Sequence, residues 1–152
     1  MTNISDKIEA FELDTDQGKF YSKDHVSKNL VLFFFPKADT TGCTKEAISF
    51  SNLINEFKNL NTVVIGISKD TVEKQAKFKS KYDLKCILGS DVDIKICSKF
   101  GVWVEKSMYG KKYMGIQRST FLINTEQKIQ HIWNKVKVPG HAEEVLEIVK
   151  KL

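Results

Sequence analysis

The 152-residue sequence has no cysteine pair of the C-x-x-C kind, no glycine-rich phosphate loop and no apolar run long enough to span a bilayer. Each absence excludes a class of function. Three cysteines, odd in number and widely spaced, do not make a disulfide framework. They suit a reducing compartment, where thiols stay free and any disulfide is transient. Without G-x-x-x-x-G-K-[ST] or G-x-G-x-x-G, nothing supports a nucleotide cofactor. Cys43, Cys86 and Cys97 lack the clustering of a metal site, so no metal is expected either. The three histidines, His25, His131 and His141, have no neighbours resembling a catalytic dyad and read as solvated surface residues.

The opening MTNISDKIEAFELD has no basic region followed by an apolar core, and so does not read as a secretory signal. The expected location is the cytoplasm, with no membrane partner. The formal net charge of +5 and the pI near 9.0 come from lysines spread along the whole chain. A nucleic-acid partner would call for a clustered patch, and none is expected. There is no repeat or low-complexity tract, and residues 1–152 read as a single domain with a core of its own.

What is present is an alternation of apolar runs and helical patterns. NLVLFFF at 29–35 is a continuous apolar run, the mark of a strand buried on both faces. From Cys43 the period changes. Ala47, Phe50, Leu53, Ile54 and Phe57 form one stripe and predict an amphipathic helix over 43–60. TVVIGIS at 62–68 predicts a second buried strand, followed by a polar helix capped by Asp70 or Thr71. A strand at 86–91, a short helix at 93–100, a hairpin from 119–123 and 128–136, and a terminal helix after Pro139 complete the pattern. Strand–helix alternation followed by a hairpin and a helix implies an α/β sandwich with a central mixed β-sheet flanked by helices.

The first strand and helix meet at FFFPKADTTGCTKEAIS, residues 33–49. That junction lies at the carboxyl end of a strand, the edge that ligand sites in α/β sheets favour. A thiol is a useful nucleophile only as the thiolate. In the first turn of a helix, Cys43 meets unpaired backbone N–H groups and the positive end of the macrodipole, and both favour the anion. With Glu46 three residues on, Cys43 reads as the helix cap and Glu46 as a capping-box acid. Thr40 offers a hydroxyl beside the sulfur, and Pro36 ends the strand in a rigid loop.

These residues carry a recognisable pattern. Pro36, Thr40 and Cys43 in PKADTTGC resemble the P-x-x-x-T-x-x-C signature of peroxiredoxins. FFFPKADTTGCTKEA, SDVDIKICSKFGVWVEKSMYGKKYMGIQRSTFLI and VKVPGHAEEVLEIVKKL are similar to the bacterioferritin-comigratory-protein or PrxQ branch, over nearly the whole chain. The resemblance implies a thioredoxin-like fold and reduction of hydrogen peroxide and organic hydroperoxides. It also implies a thiol reductant such as thioredoxin or a small thiol, no cofactor, and a monomer or weak homodimer. By position, Cys43 matches the peroxidatic cysteine, Thr40 the threonine that hydrogen-bonds peroxide, and Pro36 the proline that closes the pocket. Arg118, in GIQRSTF, matches the arginine brought in from a distant strand.

The sequence departs from the family at the recycling step. A resolving cysteine five positions after Cys43 would stand at Ile48, and one on the following helix near Phe78 and Lys79. Neither is present, so an external thiol is expected to recycle the enzyme, with Cys97 the weaker candidate resolver. The start of the Cys86 strand is expected at the sheet edge opposite Cys43. The rival reading is a redox-inactive thioredoxin-fold binding or chaperone module. A module without chemistry has no need of Pro36, Thr40, Cys43 and Arg118 together, which favours the enzyme.

Overall fold

The computed structural model describes residues 3–152. The strands are β1 (Glu12–Thr15), β2 (Gly18–Tyr21), β3 (Asn29–Phe34), β4 (Thr62–Ser68), β5 (Ile87–Ser90), β6 (Trp103–Met108), β7 (Lys111–Ile116), β8 (Ser119–Ile123) and β9 (Ile129–Trp133). The helices are α1 (Thr41–Asn52), α2 (Ile54–Asn59), α3 (Val72–Tyr82), α4 (Lys95–Lys99) and α5 (His141–Lys150). Seven strands form one mixed sheet in the order β2-β1-β5-β4-β3-β8-β9, and β6 and β7 form a separate hairpin. Strands β3, β4 and β5 run parallel, while β8 returns antiparallel beside β3. The expected mixed sheet flanked by helices is therefore present.

β3 lies inside the sheet between β4 and β8, and its continuous apolar run is explained by a core on each face. Val31, Phe33 and Phe35 join Phe50 and Phe57 from α1 and α2, Phe78 from α3, and Val145 and Leu146 from α5. Leu30, Leu32 and Phe34 join Phe11, Phe20, Phe100, Phe121 and Cys97 on the other face. Alternation along the strand sends successive side chains to opposite layers, so a strand in the middle of three layers has no polar side.

Two expectations are corrected, and one alternative is resolved. The helix predicted over 43–60 begins earlier and is broken at Leu53, whose ψ of 7° leaves the helical range. The break lets α2 lie against β4 while α1 packs on α5. Thr71, one of the two predicted caps of α3, accepts from the Lys74 N–H. His141 is not a solvated surface residue. It is 5% exposed, with Nε2 2.7 Å from Thr120 Oγ1 and its ring edge-on to Phe50 and Trp133. As the first residue of α5 it carries no periodicity that would mark it as inward-facing. The hairpins β1–β2 and β6–β7 were not anticipated, because their strands are short or largely exposed and show little apolar signal. Among the described residues no helix is long and apolar enough to cross a membrane, and no cluster of His, Cys, Asp or Glu could hold a metal ion.

Candidate active site

The loop from β3 to α1 is fastened at successive residues. The Phe35 N–H donates to the Ile67 carbonyl, extending the parallel pairing one step beyond β3. The Ala38 N–H donates to Asp70 Oδ2 at 2.8 Å. That buried carboxylate also accepts from Ser68 Oγ, whose oxygen in turn accepts from Gln75 Nε2. Asp39 takes a left-handed φ of 62°, and its carboxylate accepts from Tyr82 Oη at 2.6 Å and Lys81 Nζ at 2.9 Å. These bonds lower the carboxyl from its ordinary value, the Tyr82 hydrogen bond contributing most. β4 and α3 thus hold the loop in a conformation its own backbone does not favour.

Thr40, in extended conformation, is the cap residue of α1, and its carbonyl accepts from the Thr44 N–H. Cys43 is therefore not the cap; it is the third residue of the helix. Glu46 is not a capping acid either, because from the next turn it points inward. The Thr40 hydroxyl donates to the Lys37 carbonyl, not to the sulfur, and its lone pairs remain available to a donor. Pro36 is half-buried at the end of the run, and Thr40 is exposed.

Cys43 is 1% exposed, and the chain's only arginine reaches it from the segment between β7 and β8. Arg118 Nη2 donates to Cys43 Sγ at 3.3 Å, and Nη1 donates to Glu46 Oε1 at 2.8 Å. One fork thus spans a thiol and a carboxylate one helical turn apart, which a lysine ammonium could not match in geometry. Gly42 makes the approach possible, since a Cβ there would stand 3.1 Å from Arg118 Nη2. Glu46 is 1% exposed, and burial raises its carboxyl to about 7 against the opposing pull of Arg118. Its second oxygen, Oε2, is buried without a partner among the described residues. Glu46, Asp70 and Asp39 were missed as members of the site by sequence reasoning. The one available signal was that a single arginine occurs in a lysine-rich chain.

The AhpC/TSA family model matches residues 4–132. The chain belongs to that family, in its Bcp/PrxQ peroxiredoxin branch. It is 46% identical over 144 residues to the putative peroxiredoxin bcp of Coxiella burnetii, covering 94% of this chain and 95% of that one. Its fold matches a cysteine-to-serine mutant of Xylella fastidiosa PrxQ with a TM-score of 0.95 at 37% identity, covering 99% and 97% of the two chains. It also matches the bacterioferritin comigratory protein of Xanthomonas campestris, described with its alkyl peroxide reduction activity, with a TM-score of 0.89 at 36% identity over 96% and 98%. This peroxiredoxin is accordingly a thiol peroxidase with a thioredoxin-type fold.

The other two thiols of the peroxiredoxin sit in unlike surroundings. All three cysteines are free, and Cys86 and Cys97 are fully buried. Cys86 precedes β5, at the sheet edge opposite Cys43 as expected, with Sγ 3.7 Å from Ser51 Oγ; burial pushes its thiol up to about 11. Cys97 lies on α4 in the second core layer, so the sheet stands between it and Cys43. Burial, and then the Asp91 carboxylate, push the Cys97 thiol well above its ordinary value. The Cys97 N–H also donates to Asp91 at 2.7 Å, fastening the start of α4. The structure brings Cys43, Thr40, Pro36 and Arg118 to one sheet edge and leaves Cys97 apart from them.

Proposed function

We propose that Cys43 is the peroxidatic residue of this peroxidase and that an external thiol returns it to the reduced state. The observation that carries the reading is the Arg118 fork on Cys43 Sγ and Glu46. The Cys43 thiolate attacks one oxygen of a hydroperoxide, the S–O bond forms, and the O–O bond breaks. The leaving oxygen takes a proton and departs as water or alcohol, and Cys43 becomes a sulfenic acid. Arg118 is permanently charged and stabilises both the thiolate and the charge growing on the leaving oxygen. Thr40 accepts from the peroxide O–H, and Pro36 limits access of water to the sulfur.

A first reductant thiol then displaces water from the sulfenic acid to form a mixed disulfide. A second attacks that disulfide and releases Cys43, so two thiols are oxidised for each peroxide reduced. Thioredoxin or a small thiol fits this role in a chain acting in the cytoplasm as a monomer or weak homodimer. Three features support a one-cysteine cycle. Ile48, Phe78 and Lys79 occupy the positions where relatives carry a resolver. Cys86 and Cys97 are buried thiols held protonated. Cys97 remains the weaker candidate resolver, because the sheet separates it from Cys43 and a disulfide needs Cα atoms within about 7 Å.

Peroxide consumption with dithiothreitol as sole reductant tests the assignment. Wild type and the double variant Cys86→Ser/Cys97→Ser should turn over alike, Cys43→Ser should not, and a dimedone-type probe should label Cys43. A Cys43–Cys97 disulfide found by peptide mapping would assign the resolver to Cys97.

A further inference from the structure

Lys106 lies on β6, outside the main sheet, yet its side chain turns inward. Its stem crosses β7 at Gly115, where a Cβ would stand 3.3 Å from Lys106 Cδ. Its Nζ donates to the Ile116 carbonyl at 2.5 Å, two residues before Arg118. Among the described residues it has no carboxylate partner, although most lysines in ion pairs here are well exposed. A half-desolvated ammonium without an anion is costly unless some group uses its charge. The groups acting on it are Arg118, which opposes its charge, and Cys43, whose anion favours it; Tyr113 lies across the hairpin. Burial first and Arg118 second push the ammonium below its ordinary value. Glu46 reaches this cluster only through Arg118.

We propose that Lys106 is a positioning residue for peroxide reduction: tethered over Gly115 to the Ile116 carbonyl, it adds a second positive charge to the Cys43–Arg118 pair. It acts in two ways through one contact. The tether fixes the strand end that delivers Arg118, and the charge favours the Cys43 thiolate without touching the sulfur. The inference rests on Cys43 being the peroxidatic residue.

The test is the pH profile of Cys43 oxidation by hydrogen peroxide, measured by stopped flow in the full chain, with iodoacetamide alkylation as an independent readout. Lys106→Met keeps an apolar stem and removes the charge. Its midpoint should move to higher pH, with oxidation about two- to fivefold slower below the midpoint, the size expected of one nearby charge at a water-like effective dielectric of ~80. Lys106→Gln, which keeps an N–H donor for the Ile116 carbonyl, should show the same shift, and Lys106→Arg should restore the wild-type profile. Circular dichroism checks folding, and should Lys106→Met not fold, Lys106→Gln carries the test. A profile unchanged in midpoint, whether the rate is normal or uniformly lower, overturns the proposal and leaves at most a structural tether. Failure of the underlying assignment would appear separately, as wild type that does not consume peroxide or Cys43→Ser that does.

Discussion

Replacing Glu46 by Gln should change how the stability of this peroxiredoxin depends on pH. The Glu46 carboxyl is raised from the ordinary 4.5 to about 7, chiefly by burial, so the folded state holds a proton that the unfolded chain gives up more readily. Whatever stability this carboxyl contributes is therefore full below pH 4.5 and is lost as pH rises through about 7. At about 1.4 kcal/mol per pH unit the loss reaches roughly 3 kcal/mol, a large share of the ~5–15 kcal/mol that stabilises a domain. Gln cannot ionise. Its buried amide has an absolute cost, because the position of Oε2 offers no partner, but that cost is the same at every pH. His141 gives the opposite slope. Burial depresses it from 6.5 to about 4, so its contribution is full above pH 6.5 and lost as pH falls toward 4. The two slopes offset each other between pH 4.5 and 6.5, and the wild-type curve alone is uninformative there. Urea unfolding of wild type and Glu46→Gln should be compared at intervals from pH 4.5 to 8. The difference between them should shift by about 3 kcal/mol in favour of Gln as pH rises. Parallel curves would mean that Glu46 is ionised throughout, held by Arg118 against its burial.

Arg118→Ala should slow oxidation of Cys43 by about 10² or more, since it removes the donors aimed at the sulfur and the developing charge. Thr40→Val should slow it less, because its hydroxyl now donates to Lys37 and only its lone pairs face a substrate. Stopped-flow rates with folding checked by circular dichroism measure both, and wild-type rates in both would reject the assignment. Tyr82→Phe removes the 2.6 Å bond to Asp39 and should speed hydrogen exchange at residues 38–42, with little effect elsewhere. Asp70→Ala leaves the Ala38 N–H and Ser68 Oγ without their acceptor and should cost about 1–3 kcal/mol in urea unfolding.

Some of this was legible in the chain because it depends on neighbours in sequence. The run 29–35 had to be a strand covered on both faces, since none of its side chains tolerates water and its length fits a strand better than a helix. The stripe from Ala47 to Phe57 and the Pro36–Thr40–Cys43 spacing placed a thiol at the start of a helix on a sheet edge for the same local reason. Other features lie between residues far apart in sequence, and only tertiary packing decided them. Glu46 read as a cap because its sequence neighbours say nothing of the Arg118 fork, which arrives from 72 residues away. Its raised carboxyl follows from burial, which no local pattern records. Lys106 read as one lysine among many until the β6–β7 pairing laid its stem over Gly115. The two cores separate Cys97 from Cys43 because alternate residues of β3 face opposite layers. Sequence spacing alone would have allowed that pair to meet.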